Sequence, residues 1–124
     1  MKEVLKEMAV VGCGAALGAL SRYAIGVYAA SFVSLSPALI TMGINIIACF
    51  LMGYLKPALF WGTGFLGGLS TFSTFIFVLA AHSTDLTFLG YYFFATPLLC
   101  ISLWLLGDIL HTKHPKHPRR RTHA

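Results

Sequence analysis

An all-α membrane protein, with four transmembrane helices to a subunit and the third of them broken, is the fold class that the sequence predicts. Three observations predict it. Only 10% of the residues are charged and 57% are hydrophobic, whereas a soluble domain carries about 25% charged residues to cover its surface. The charges also stand apart from the apolar segments: between Met8 and Leu110 only Arg22, Lys56, Asp85 and Asp108 are charged at neutral pH. The four apolar segments between the turns are each near the roughly 20 residues that a helix needs to cross a bilayer. This divides the chain into one four-helix domain, residues 1–110, and a basic tail, residues 111–124.

The first span is expected over about residues 8–32, behind a charged lead, KEVLKE, that can form a helical turn at the membrane surface. With no cleavage site leading into a soluble domain and more spans to follow, the segment reads as a span and not a removable leader. Gly12, Gly14, Gly18 and Gly26 join Ala15, Ala16 and Ala19 in a small-residue face, which allows close approach where dispersion holds helices together. Arg22, within this span, has two readings: a donor to carbonyls at a helix end, or a cation that draws anions towards an aqueous cavity. Ser36 followed by Pro37 starts the second span, because serine caps a helix and proline loses nothing in its first turn. That span, about residues 38–55, carries Asn45, whose amide either joins helices or donates to an anion.

Residues 62–77, GTGFLGGLSTFSTFIF, crowd four glycines and five hydroxyls among aromatics. Carbonyls released from a helical ladder persist at membrane depth only where protein, water or an ion satisfies them. The stretch therefore predicts a break in the third span and, with it, a transport function in place of soluble enzymology. Phe72 and Phe75 share a helical face, with Thr71 and Thr74 on a neighbouring polar stripe; the rings serve either packing or a pore. Residues 82–85 read as an exposed turn. The fourth span, about residues 86–110, has Tyr91, Tyr92 and Trp104 towards its boundaries and Thr96, Pro97 and Ser102 inside it. Pro97 is expected to bend it, and Asp108 to sit at its exit beside solvent or a basic residue.

The tail, HTKHPKHPRRRTHA, holds five basic residues and four histidines. It reads as a flexible polybasic segment near anionic lipid heads and as an orientation signal, with weak metal binding by the histidines as the other reading. Cys13, Cys49 and Cys100 lie in apolar spans without a CxxC pair, so no disulfide framework or metal knuckle is indicated. No phosphate loop and no nucleophile, histidine and acid constellation occurs, so no catalytic residue is assigned.

The chain resembles the fluoride channel family of bacteria, the CrcB family, over about residues 10–107. Residues 14–23, GAALGALSRY, are similar to its first-helix segment, and residues 45–53, NIIACFLMG, to its second-helix NxxxxFxxG. Residues 64–75, GFLGGLSTFSTF, are similar to its GFxGGxTTFSTF signature. The resemblance implies an antiparallel, dual-topology dimer in the inner membrane that passes fluoride passively out of the cytoplasm. It implies a structural sodium ion at the dimer centre, held by the main-chain carbonyls of Gly67 and Ser70 of each copy. Phe72 and Phe75 would line the path with their ring edges, Asn45 would donate within it, and Thr74 with Thr96 and Ser102 would form a polar track. Arg22 would stand near an aqueous vestibule. Ser70 replaces the family's usual threonine, which leaves a carbonyl ligand unchanged, and no asparagine precedes Thr96 and Pro97 in the fourth span.

Charge placement adds an alternative. Four spans put Lys2, Lys6, Lys56, Lys113, Lys116 and Arg119, Arg120 and Arg121 on one side, and the other two connectors have no lysine or arginine. The positive-inside rule then favours a single orientation, so the chain is either a homodimer or one subunit of a channel built with an oppositely inserted homologue. A small proton-coupled multidrug exporter is the other functional reading. It needs a membrane-embedded carboxylate, and Glu7, Asp85 and Asp108 all lie towards span ends.

Overall fold

The computed structural model describes residues 1–114, so the tail reading from Pro115 onward lies outside the described residues. Among the described residues every regular element is helical. Four helical stretches, Lys2–Val33, Pro37–Leu55, Phe60–Ala81 and Leu86–Lys113, are long and apolar enough to cross a membrane. The protein is a multi-pass membrane protein.

Local chemistry sets the ends of these stretches. Helix α1 spans Lys2–Tyr28, taking in the charged lead, and widens into a π turn over Ala29–Val33 before Ser34 turns the chain at φ 52°. Helix α2, Pro37–Leu55, starts as expected: the Ser36 hydroxyl accepts from the Leu39 amide at 3.4 Å with proline in the first turn. It stops at Lys56, which has a left-handed φ of 43°. The third span opens with a π segment, Phe60–Leu66, passes through the short helix α3, Gly67–Leu69, and resumes as α4, Phe72–Ala81. Helix α5, Leu86–Lys113, is capped by Asp85, whose carboxylate accepts from the Phe88 amide at 3.0 Å. It continues without interruption through Pro97 and ends three residues beyond the domain boundary at residue 110.

Helix α1 packs on the first half of the third span, and α2 packs along α5. The glycines account for how closely. A Cβ on Gly18 would strike the Phe65 carbonyl, and one on Gly68 the Ala15 backbone. Gly53 lies in the same way on the Trp104 carbonyl, and Gly107 on that of Phe50. Gly12 and Gly26 face open space, so only part of the small-residue face of α1 works as a packing face. Tyr92 on α5 donates its hydroxyl to the Ala38 carbonyl of α2 at 3.2 Å. With the Gly53 and Trp104 contact, this sets α2 and α5 side by side and parallel.

Two apolar clusters result. One joins Ala38, Phe75, Val78 and Tyr92; the other joins Ile44, Ala48, Leu66 and Leu69. The outward faces carry large apolar side chains such as Leu20, Phe32, Phe77, Tyr91 and Phe94, as suits a lipid-facing surface.

Candidate functional site

The site grows from the backbone between α3 and α4. Ser70 has φ −69° and ψ 156°, and Thr71 has φ −151° and ψ 126°. Both are extended, so the amides that would close helical turns on the carbonyls before them are diverted. The Thr71 amide donates to Asn45 Oδ1 at 2.7 Å, and Asn45 Nδ2 donates back to the Thr71 carbonyl at 3.0 Å. The Thr74 amide donates to Thr71 Oγ1 at 3.2 Å, which caps α4. Asn45 thus satisfies both backbone groups of an extended residue in an apolar setting, where an unmade hydrogen bond is expensive. The second Nδ2 hydrogen of Asn45 remains available to another acceptor.

Arg22 meets the carbonyls released by this geometry. Its Nη1 donates to Gly68 O and Ser70 O, each at 2.9 Å, and lies 3.5 Å from Leu69 O. The guanidinium sits at the C-terminal end of α3, where the carbonyl dipoles favour a cation. Of its two readings, the helix-end donor is the one that the geometry describes. Gly67 O accepts from Ser70 Oγ at 3.3 Å.

Two cavities flank this junction. The smaller, about 270 Å³, is lined by Asn45, Cys49, Thr71, Phe75, Thr96 and Cys100, with Phe72 at its edge. Thr96 is only 3% exposed, and its hydroxyl has no hydrogen-bond partner. The larger, about 530 Å³, includes Arg22, Thr41, Thr71 and Thr74. Thr71 therefore stands between the two, and its hydroxyl also meets Ser73 Oγ at 3.1 Å and Thr74 Oγ1 at 3.2 Å. The two phenylalanines differ in setting: Phe75 is 4% exposed and stacks on Tyr92 at 5.3 Å, whereas Phe72 is 74% exposed. Their ring centroids are 5.7 Å apart.

The profile of the family described as "CrcB-like protein, Camphor Resistance (CrcB)" matches residues 9–108. The chain belongs to the CrcB family. It is 43% identical over 101 residues to a Corynebacterium diphtheriae protein named fluoride-specific ion channel FluC 1, covering 80% of this chain and 92% of that relative. A protein of the same name from Corynebacterium glutamicum is 46% identical over 100 residues, 81% of this chain and 88% of the relative. The Pyrococcus furiosus fluoride-specific ion channel FluC is 38% identical over 121 residues, 86% and 96% of the two chains. With its four apolar spans, this CrcB chain is a multi-pass protein of the plasma membrane.

In this CrcB protein, Asn45, Thr74, Thr96, Phe72, Phe75, Arg22, Gly67 and Ser70 all gather around the junction between α3 and α4. Ser102 does not: it is exposed and lines neither cavity. Six helical residues place it about 240° round α5 from Thr96. Thr71, which the polar stripe included but to which no site role was given, is the hub. Its signal in the sequence was its position directly after the small-residue run and three residues before Thr74. The acids lie at span ends: Asp108 pairs with Lys56, Glu3 pairs with Lys6, Asp85 caps α5 and Glu7 is in the first turns of α1.

Proposed function

We propose that the chain is a subunit of a passive, selective fluoride channel that lets fluoride leave the cytoplasm and so prevents its toxic accumulation. Membership of the CrcB family and the printed names of its relatives support fluoride as the cargo. The observation that carries the residue-level reading is the smaller cavity, which Asn45, Phe72, Phe75 and Thr96 line together, with the Thr96 hydroxyl buried and without a partner. Fluoride is small and strongly hydrated, so a path must replace its water with donors. An amide N–H, a hydroxyl and the electropositive edges of phenyl rings are neutral donors of that kind. Neutrality matters, because conduction needs binding weak enough to release the ion.

In this reading the extended residues Ser70 and Thr71 are a functional break in the third helix, and Phe72, exposed in a single chain, completes the path beside a second copy. Thr74 and Thr71 continue the polar track towards the larger cavity, where Arg22 raises the potential felt by an anion. Ser102 belongs to the track only if it is covered by the second copy.

The released carbonyls fit the structural sodium. Gly67 O and Ser70 O have lost their helical amide donors to Asn45 and Thr71. Each accepts one side-chain hydrogen bond, which leaves a second lone pair on a hard oxygen ligand. The Gly67 and Ser70 carbonyls of two antiparallel copies would hold the ion, which when bound supplies a fixed positive charge at the dimer centre. The exporter reading has no acid within the bundle to exchange protons.

The charge asymmetry favours a second reading, in which this chain pairs with an oppositely inserted homologue. Efflux from liposomes that contain only this polypeptide, under an imposed potassium diffusion potential, tests both. Rapid fluoride efflux with little chloride leak is expected of a self-sufficient channel. Flux that appears only on co-expression with a homologue identifies the two-subunit form, and silence in both removes the channel reading.

A further inference from the structure

The parallel register of α2 and α5 brings together two side chains that the fluoride reading does not use. The same spacing along the chain separates Asn45 from Thr96, Cys49 from Cys100 and Gly53 from Trp104. The glycine pulls the helices into backbone contact one turn beyond the cysteines. Cys49 and Cys100 line the smaller cavity together with Asn45 and Thr96. Both are free thiols, both are partly buried, and both open on the same cavity from facing helices. The third cysteine, Cys13, is exposed on α1 and lines neither cavity that flanks the junction.

We propose that Cys49 and Cys100 form a dithiol site that takes one soft divalent cation of linear coordination, of the mercuric type, across the cavity between α2 and α5. The ligand set selects this class. Thiolates favour soft metals, whereas magnesium and calcium want several oxygens and zinc wants four ligands. The other polar residues of the cavity, Asn45, Ser70, Thr71 and Thr96, are uncharged, so the site must balance its own charge in a medium where net charge is costly. A divalent ion and two thiolates are neutral together. Two S–H bonds break, two sulfur–metal bonds form, both protons leave to water, and no electron is transferred. A monovalent soft ion at the same two sulfurs would leave a net negative charge. Resting on the fluoride-path reading, the bound metal fills the space beside Thr96 and Phe75 and stops flux.

The test uses the full chain with Cys13→Ser, so that only the pair remains, and mercuric chloride as the probe. Native mass spectrometry is expected to show one mercury retained per chain with the loss of two protons, and alkylation mapping to show both thiols protected together. Cys49→Ser and Cys100→Ser, taken singly, are expected to weaken retention about a hundredfold or more, because the second sulfur no longer acts at high effective concentration. One equivalent of mercury is expected to abolish fluoride efflux from liposomes, and a small dithiol to restore it. Mercury held on one thiol alone, or retained by either serine variant as tightly as by the intact pair, overturns the site. Protection mapping on the Cys13→Ser chain needs neither of those variants, so a variant that misfolds does not decide the matter. If mercury bridges both thiols and fluoride efflux continues, the dithiol site stands and the cavity is not the fluoride path.

Discussion

Asn45 carries two duties that separate under substitution. Its amide satisfies both backbone groups of Thr71, and its second N–H is left to serve a cavity that Asn45 lines. Asn45→Ala strands a buried amide and a buried carbonyl, each worth about 1–3 kcal/mol, so a lower melting temperature and lost flux are expected together. Asn45→Asp keeps an acceptor for the Thr71 amide but removes the donor and adds negative charge, so flux should fall more than thermal stability. Unchanged conduction in Asn45→Asp would take Asn45 off the path. The phenylalanines divide in a related way. Phe75→Ile loses the stack on Tyr92, worth about 0.5–1.5 kcal/mol beyond buried area, and is expected to lower both stability and flux. Phe72→Ile changes an exposed ring, which for a surface position shifts stability within about 0.5 kcal/mol; flux alone should drop. Normal flux in both isoleucine variants would remove the rings from the pathway.

Helix contacts in this protein are backbone on backbone, which makes them sensitive to a single methyl group. Gly18→Ala would drive a Cβ into the Phe65 carbonyl and Gly53→Ala one into the Trp104 carbonyl. Backbone cannot swing aside as a side chain can, so both variants are expected to lose the folded, detergent-stable state when assayed by size exclusion after mild heating. Gly12→Ala and Gly26→Ala meet nothing within 4 Å and should be neutral or gain the helix propensity that alanine holds over glycine, up to about 1 kcal/mol. In the sequence all four α1 glycines are alike, because a small-residue face is visible there but its partner is not. Span number, the Ser36 cap and the meeting of Asp108 with a basic residue were legible, since each depends on composition or near neighbours. The central role of Thr71 was not, because its partner Asn45 lies 26 residues away. The resemblance put Ser102 with Thr96 on one track, and the turn of α5 is what separates them.

At the scale of the whole molecule, one chain is an unfinished object in the proposed channel. Phe72, Phe77 and Tyr91 lie on its outer surface, and the carbonyls of Gly67 and Ser70 offer too few oxygens to enclose a cation until a second copy brings its own. The sodium reading is therefore a statement about assembly as much as about conduction. Replacing sodium on both sides of the membrane with a large organic cation is expected to lower fluoride efflux and, in detergent, to shift the protein from dimer towards monomer. Asn45→Asp serves as the contrast, since it should lower efflux while the dimer persists in sodium. Loss of flux without loss of the dimer would place sodium in the conduction step and not at the subunit contact. If neither flux nor assembly responds to sodium, the released carbonyls serve Arg22 and Ser70 alone, and the junction between α3 and α4 is held by the protein's own hydrogen bonds.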